Sequence, residues 1–346
     1  MKKIVILVAV LAALVLAGNL ALKSEQVQEA VLTRFVTAIA SGSGAPATED
    51  ALRVYVCGSA SPLGRTDQAQ ACLAVITPEH FYLFDLGAGA NRTLSDGNLP
   101  MQRLKGVFLT HFHSDHIAEI YEANLASWVQ GRAVPLRVLG GEGVETLVEG
   151  LNTTYQFDRA HRAEHHGEAM LPPALGILAA VTVAPGIAYQ DGDLKITPYQ
   201  AEHPPISPAL GYRIEYKGRS VVISGDSNVN EATVSVSDGA DLLLHDALSV
   251  PAVSLMSQVF GENGRERVSK IMRDVLEYHA SLESLIELND KADVDRVAYY
   301  HLVPNPTNAL FMAFFERNLP ENYLIAQDRM WFHLPVGSDT IRVTEP

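Results

Sequence analysis

The densest group of residues that could do chemistry lies between Thr110 and His116. The chain places His111, His113, Asp115 and His116 within six positions. Deprotonated imidazoles and carboxylates offer the lone pairs that borderline divalent cations require. The first two histidines could point the same way to hold one ion, while the aspartate and the last histidine could hold a second. A histidine-rich loop without metal is the alternative, and ligand-competent residues at this density argue against it.

The neighbouring elements predict how these side chains converge. An apolar strand, Gly106–Thr110, precedes the group and a helix, Ile117–Trp128, follows it, so the group occupies a strand-to-helix turn. Short apolar runs elsewhere predict two clusters of strands, each accompanied by helices, which favours a layered α/β domain with two sheets. The predicted strands are Arg53–Cys57, Ala71–Thr77, Phe81–Asp85, Leu136–Leu139, Leu194–Gln200, Leu210–Tyr216, Ser220–Ser224, Leu242–His245 and Arg296–Tyr300. The other predicted helices are Gly143–Thr153, Arg265–Tyr278, Leu282–Asn289 and Thr307–Arg317.

The pattern His-x-His-x-Asp-His after a strand resembles the signature of the metallo-β-lactamase superfamily, and the resemblance extends from about residue 53 to the carboxyl end. It implies an α/β (α+β) fold, the αββα four-layer sandwich, over residues 51–346. It also implies three later metal ligands, each at the end of a predicted strand: His203, Asp226 and His301. In this arrangement Asp226 is shared between two ions. One ion would be held by His111, His113 and His203, and the other by Asp115, His116 and His301.

The cofactors implied by this resemblance are two divalent metal ions. Zinc is the default ion, and iron or manganese suit the same donors. Two such ions about 3.5–4 Å apart can share a hydroxide as the nucleophile at neutral pH and can polarise an ester oxygen. Asp115 could also accept a proton or a hydrogen bond from that nucleophile.

Two further segments resemble the ribonuclease Z-like branch of the superfamily, namely His245-Asp246-Ala247 and His279-Ala280-Ser281. In that branch a carboxylate and a histidine in these segments assist protonation of the leaving group. The resemblance makes His279 the general-acid candidate and Asp246, which replaces a glutamate, its partner. An alternative for His279, interaction with the dipole of the preceding predicted helix, is equally open.

The lengths of two segments between the metal ligands determine which substrate we expect. Ribonuclease Z enzymes carry a long arm that grips tRNA, located between the metal ligands that correspond to His203 and Asp226. In this chain only 23 positions separate His203 from Asp226. The extra sequence lies at about 117–202, a polar insert that we expect to overhang the metal ions. Its layout is similar to that of exported arylsulfatases of this fold. In it Arg162, His165 and His166 could contact a sulfate or phosphate group, or they could be surface residues of a loop.

Composition and the amino-terminal segment predict location and partners. With a net charge of −14, the chain lacks the basic footprint of a nucleic-acid binder, so we expect neither a nucleic-acid partner nor tRNA processing. Residues 1–22 are typical of a signal peptide or, if uncleaved, of an inner-membrane anchor. Residues 23–50 predict a helix and a flexible linker. We therefore expect a periplasmic or secreted protein, in which Cys57 and Cys72 could pair or stay as buried thiols.

These patterns predict an exported, dinuclear metal-dependent hydrolase of a small-molecule anionic ester, similar to an arylsulfatase. The alternatives are a phosphodiesterase or ribonuclease Z-like nuclease and a lactone or thioester hydrolase, because the same seven ligands occur in those branches. A non-catalytic binding module is the least favoured alternative, since no ligand is missing from the set. Whether the protein forms a homodimer is left open by the sequence.

Overall fold

A computed structural model describes residues 18–19, 21–42, 49–63 and 67–346. The chain divides into two compact units, residues 1–45 and 46–346. In the first unit, helix α1 spans Glu25–Gly42. Most of the predicted signal or anchor segment and of the predicted linker lies outside the described residues, so export stays a prediction. Within the described part of the chain, no helix combines the length and apolar character that crossing a membrane requires.

The second unit is built on two β-sheets. In the first sheet, eight strands of the described chain are hydrogen-bonded side by side. In spatial order they are β15 (Arg342–Thr344), β14 (Trp331–Pro335), β1 (Ala51–Gly58), β2 (Cys72–Ile76), β3 (Phe81–Phe84), β4 (Gly106–Phe108), β5 (Leu136–Gly140) and β6 (Leu178–Thr182). The strands from β3 to β6 run parallel, so their carboxyl ends meet at one edge of the sheet.

The second sheet contains seven strands of the described chain. In spatial order they are β13 (Tyr323–Ile325), β12 (Arg296–Val303), β11 (Leu242–Leu248), β10 (Arg219–Ile223), β9 (Leu210–Tyr216), β8 (Leu194–Gln200) and β7 (Tyr189–Asp191). The strands from β10 to β13 are parallel, and β9 runs antiparallel to both β8 and β10. The carboxyl ends of β8, β10, β11 and β12 therefore lie at the same edge.

The two sheets face each other across the main hydrophobic core, which includes Phe84 and Phe108 from the first sheet and Tyr212 and Tyr300 from the second. Helices α2 (Ala90–Asp96), α3 (Ser114–Ile117), α4 (Ile120–Val129) and α5 (Val144–Thr154) lie outside the first sheet, followed by α6 (Gln156–His166). Helices α7 (Glu231–Ser237), α8 (Val250–Glu262), α9 (Glu266–Val275), α10 (Leu282–Ala292) and α11 (Ala309–Glu316) accompany the second sheet. The predicted αββα four-layer sandwich is confirmed.

The structure also contains elements that the sequence did not predict, among them α6 and the strands β14 and β15. The segment holding Arg162, His165 and His166 is helix α6 and not a loop. Its apolar residues are only Phe157, Ala160 and Ala163, and a face with one large apolar side chain is a weak signal for an amphipathic helix. Strands β14 and β15 contain only five and three residues, and runs this short give a weak strand signal in a sequence.

A disulfide bond joins Cys57 to Cys72. Cys57 is the extra residue of a bulge in β1, because Val56 pairs with Leu73 and Gly58 pairs with Cys72. Both cysteines are fully buried. Of the two alternatives that the sequence left open, the structure therefore has the paired one.

Replacing both cysteines by serine should lower the free energy of unfolding by about 3 kcal/mol, because the bond closes a loop over a sequence separation of 15 residues. Denaturant titration of the wild type and the double variant, each with and without a reducing agent, measures this effect. The reduced wild type should match the double variant, and the double variant should not respond to the reducing agent. Identical unfolding midpoints in all four samples would contradict the prediction.

Candidate metal centre

Three imidazoles and a carboxylate form the first of two potential metal-binding clusters at the shared sheet edge. The Nδ1 atom of His113 lies 2.9 Å from Nε2 of His111 and 3.5 Å from Nε2 of His203. An Oδ2 atom of Asp226 completes the group at 3.9 Å from His111 Nε2. All four donor atoms lie within 4.8 Å of one another, so a single cation could contact every one of them.

The second cluster contains Asp115, His116, His301 and the same Asp226. His301 Nε2 lies 3.1 Å from Asp115 Oδ2, and His116 Nε2 lies 3.4 Å from both carboxylates. These four side chains are buried. The structure thus brings together all seven residues that the resemblance implies, although 190 positions separate the first of them from the last.

The early ligands are positioned by the turn between β4 and α3. His113 has an extended backbone with ψ of 150°, and α3 begins at the next residue, Ser114. The short helix then turns Asp115 and His116 inward, while His111 precedes it in the loop from the sheet. Four ligands close in sequence can therefore face two neighbouring sites.

His301 reaches the centre from a bulge in β12. Its neighbours Tyr300 and Leu302 pair with consecutive residues of β11, Asp246 and Ala247, so His301 has no partner in the ladder. Its backbone is left-handed, with φ of 47°, which costs roughly 1–3 kcal/mol for a residue other than glycine. The bulge redirects this side chain out of the strand alternation and towards the metal-binding clusters.

Gly225 allows Asp226 to approach the turn that carries the early histidines. Its φ is +63°, and a Cβ atom at this position would lie 2.7 Å from the Cβ atom of Thr110. Any larger residue would therefore clash and would also strain the backbone. The glycine between Ser224 and Asp226 fixes how closely the two sheets meet at the site.

A buried carboxylate that the sequence analysis did not single out, Asp85, orients the ligands. Its Oδ2 atom lies 2.8 Å from His116 Nδ1, and it accepts hydrogen bonds from the backbone N–H and the hydroxyl of Thr110. The Nδ1–H group of His203 donates to the carbonyl oxygen of Tyr278 at 2.9 Å. Such partners leave the Nε2 lone pairs directed at a cation. A carboxylate at the end of the predicted strand Phe81–Asp85 was the signal available for Asp85.

Several buried donor atoms of the clusters have no hydrogen-bond partner among the described residues, including His116 Nε2, Asp226 Oδ1 and His301 Nδ1. Buried polar atoms are normally paired, because leaving them unpaired costs about 1–3 kcal/mol each. All three point into the group that a cation would fill. The donor set therefore fits divalent metal ions.

The surroundings favour the metal-binding forms of Asp226 and His111 but the protonated form of His116. Burial alone would raise the pKa of Asp226, but the neighbouring His301 and His116 hold that pKa well below its usual range. Burial, together with the nearby His116, lowers the pKa of His111 well below its usual value. Burial opposes a charge on His116, but Asp226 and the other nearby carboxylates raise its pKa. A cation entering the second cluster therefore competes with a proton on His116.

Asp246 and His279 form a hydrogen-bonded pair beside the clusters. Asp246 Oδ2 lies 2.7 Å from Nδ1 of His279, and Asp246 Oδ1 lies 2.9 Å from Nδ1 of His245. Burial alone would raise the pKa of Asp246, but the hydrogen bonds from His245 and His279 lower it. The ring centre of His279 lies 5.3 Å from that of His203 and 5.6 Å from that of His301. His279 is thus held by a carboxylate and faces the clusters.

The clusters open into a cavity of about 250 Å³. Part of its lining comes from Ser61, Pro62 and Leu63, in the loop closed by the disulfide, and another part from α9 and the residues after it. None of the described residues that line this cavity belongs to the segment 117–202. Arg162 instead pairs with Asp158 at 2.9 Å. The predicted contacts His165 and His166 are exposed on α6, so the structure does not bring these three residues to the cavity.

Comparison with known proteins identifies the family. The family model described as the beta-lactamase superfamily domain matches residues 82–302. The chain belongs to this superfamily. Ribonuclease Z from Mycobacterium bovis (strain BCG / Pasteur 1173P2) is 28% identical over 256 residues, which is 73% of this chain and 86% of the relative. Metallo-beta-lactamase superfamily enzymes bind divalent metals, usually zinc, and the two clusters described above could hold such ions.

Solved structures with the superfamily fold align over most of the chain. The metallo-beta-lactamase fold protein YhfI from Bacillus subtilis aligns with a TM-score of 0.60 at 18% identity, covering 82% of this chain and 100% of that protein. The short form of human tRNase Z aligns with a TM-score of 0.58 at 16% identity, covering 82% and 99%. At these identities the alignments establish the fold.

The expectation that nucleic acid is not a partner is wrong, because the curated superfamily relatives are named ribonuclease Z. The expectation relied on the net charge of −14. That charge is a sum over the entire chain, whereas binding depends on the field at one site, which bound cations can make positive.

Replacing Asp85 by asparagine should weaken metal binding by about 10- to 100-fold, because the carboxylate orients His116 without contacting the cation. Competition with a chromogenic chelator measures the affinity. Asp191→Asn is the matched control, since Asp191 lies 3.8 Å from His80, a histidine that belongs to neither cluster. Equal metal affinities of the two variants would contradict the orienting role.

Proposed function

We propose that this chain is a dinuclear metal-dependent phosphodiesterase that hydrolyses RNA, in the manner of a ribonuclease Z. The relatives with that name favour this function over the arylsulfatase expectation. The observation that carries the proposal is the Asp246–His279 pair, in which a buried carboxylate holds an imidazole at the wall of the metal cavity. An RNA phosphodiester releases a poorly stabilised alkoxide, so its cleavage benefits from a proton donor at this place.

The two clusters support a site for two ions with Asp226 common to both. When bound, such ions supply Lewis acidity towards a phosphoryl oxygen and lower the pKa of water. The chain itself contributes the orientation of the donors: Asp85 holds His116, and the Tyr278 carbonyl holds His203. Asp115 and Asp226 contribute the negative charge that retains the cations.

His279 serves as the general acid in this proposal. Because its Nδ1 atom is engaged by Asp246, Nε2 is the nitrogen that remains to meet a substrate in the cavity. Water adds to phosphorus and gives up a proton to Asp115, the bond to the leaving oxygen breaks, and that oxygen takes the proton from His279 Nε2. Asp246 stabilises the charged imidazole before the transfer and fixes the orientation of its ring.

Export through the amino-terminal segment is part of the proposal. Its support is the buried Cys57–Cys72 disulfide, because such bonds form and persist mainly in oxidising compartments.

Elemental analysis of zinc-loaded protein should find two ions per chain. The variant Asp226→Ala should bind fewer ions and lose turnover, because it removes a carboxylate oxygen from each cluster. Circular dichroism and gel filtration establish that the variant stays folded. Fewer than one ion per chain in fully loaded wild type, or wild-type turnover by the variant, would contradict the shared role of Asp226.

Replacing His279 by alanine should slow cleavage of an RNA oligonucleotide by about 10²–10⁴-fold. The loss on bis(p-nitrophenyl) phosphate should be much smaller, because p-nitrophenolate leaves without needing a proton. Asp246→Asn should show the same dependence on the leaving group. The control is His165→Ala, which changes an exposed histidine outside the cavity.

The substrate class is tested with the wild type on RNA, bis(p-nitrophenyl) phosphate, p-nitrophenyl sulfate and a lactone. The proposal expects the highest kcat/KM on the phosphodiesters. Faster turnover of the aryl sulfate or the lactone than of both phosphodiesters would overturn it.

A further inference from the structure

The wall formed by α9 and the residues after it gives the metal cavity an apolar side. Ile271, Val275 and Tyr278 all line the cavity. They follow one another at intervals of four and three positions, which places the first two on one face of α9. Ile271 is 43% exposed although it is a large apolar residue. The wall can therefore contact an apolar or aromatic group of a molecule whose phosphate lies at the metal clusters.

Arg267 extends this face away from the cavity. It lies four positions before Ile271, which corresponds to a rise of roughly 6 Å along the helix, and its side chain is directed further towards the helix amino terminus. Arg267 is exposed, and it makes no hydrogen bond or ion pair with the described part of the chain. An uncommitted guanidinium thus stands beyond the apolar wall.

The neighbouring basic side chains are engaged within the protein. Lys270 pairs with Asp274 at 2.6 Å, Arg273 donates to the hydroxyl of Ser269 at 2.7 Å, and the Arg265 guanidinium lies 4.8 Å from the ring centre of Phe260. Arg267 therefore differs from them in being available to an anion. In a chain with a net charge of −14, a free cation in line with the cavity is complementary to a polyanionic substrate.

The segment between His203 and Asp226 offers no comparable surface. It is occupied by the hairpin of β9 and β10, whose turn contains Lys217. Lys217 pairs with Asp50 at 2.9 Å. A strand of RNA held at the clusters therefore needs another surface to contact.

We propose that the α9 face binds the nucleotide next to the scissile phosphate, with its base against Ile271 and Tyr278 and the following phosphate at Arg267. This inference rests on the proposed function and adds the surface that recognises the RNA. Base contacts with aromatic and apolar side chains are tolerant of sequence, and one arginine contributes one phosphate contact. Arg267 is thereby a specificity-determining residue for extended substrates.

The test compares Arg267→Gln with Lys270→Gln, which removes the same charge from a side chain that is already paired with Asp274. The substrates are a single-stranded RNA oligonucleotide and bis(p-nitrophenyl) phosphate, which has no following phosphate. Arg267→Gln should lower the ratio of kcat/KM on RNA to kcat/KM on the small diester by about tenfold, mainly through KM. Lys270→Gln should change this ratio by less than twofold.

The dependence of kcat/KM on salt provides a second measurement. The slope of log kcat/KM for RNA against log salt concentration should become shallower by about 0.7 in Arg267→Gln, as expected for the loss of one phosphate contact on a single strand. Equal ratios and equal slopes for the two variants would overturn the inference while leaving the phosphodiesterase function intact. No cleavage of either substrate by metal-loaded wild type would instead refute the proposed function, and the inference with it.

Discussion

The site depends on one constraint, the burial of a charged carboxylate between two groups of imidazoles. Asp226 is 4% exposed and contributes an oxygen to each cluster. A buried carboxylate is costly unless opposite charges and hydrogen bonds compensate it. Here the compensation comes from His116 and His301 on neighbouring elements, and bound cations would satisfy the remaining unpaired donor atoms. The glycine before Asp226, the bulge at His301 and the Asp85 contacts all serve to bring these groups together.

The sequence predicted the parts of this centre that are local or that sit at strand ends. The group from His111 to His116 is contiguous, and His203 and Asp226 each follow an apolar strand whose end can be recognised. The walls of the cavity could not be predicted, because Leu63 and Ile271 meet there only through the packing of separate elements. Helix α6 also escaped prediction, since Phe157 is its only large apolar residue and its apolar face is correspondingly weak.

The acidic composition misled the sequence analysis for a reason that the structure makes clear. Net charge averages over a surface on which many basic groups are already paired with carboxylates, such as Lys195 with Glu215 and Arg329 with Asp96. In the proposed complex, a polyanion meets Arg267, the apolar wall and two clusters that could hold cations. One uncommitted charge beside such a centre can outweigh a distant excess of carboxylates, because screening limits each charge to about 8–10 Å at moderate salt.

Because His301 is the unpaired residue of the bulge in β12, it can bind metal in this arrangement without contributing to the hydrogen-bonded ladder of the sheet. Because Tyr300 and Leu302 already face consecutive residues of β11, excising position 301 would restore an uninterrupted ladder. It would also relieve a left-handed backbone. Deletion of His301 would therefore remove a metal ligand and leave the sheet intact. A related protein could lose this metal-binding cluster through a single codon deletion and still retain the fold.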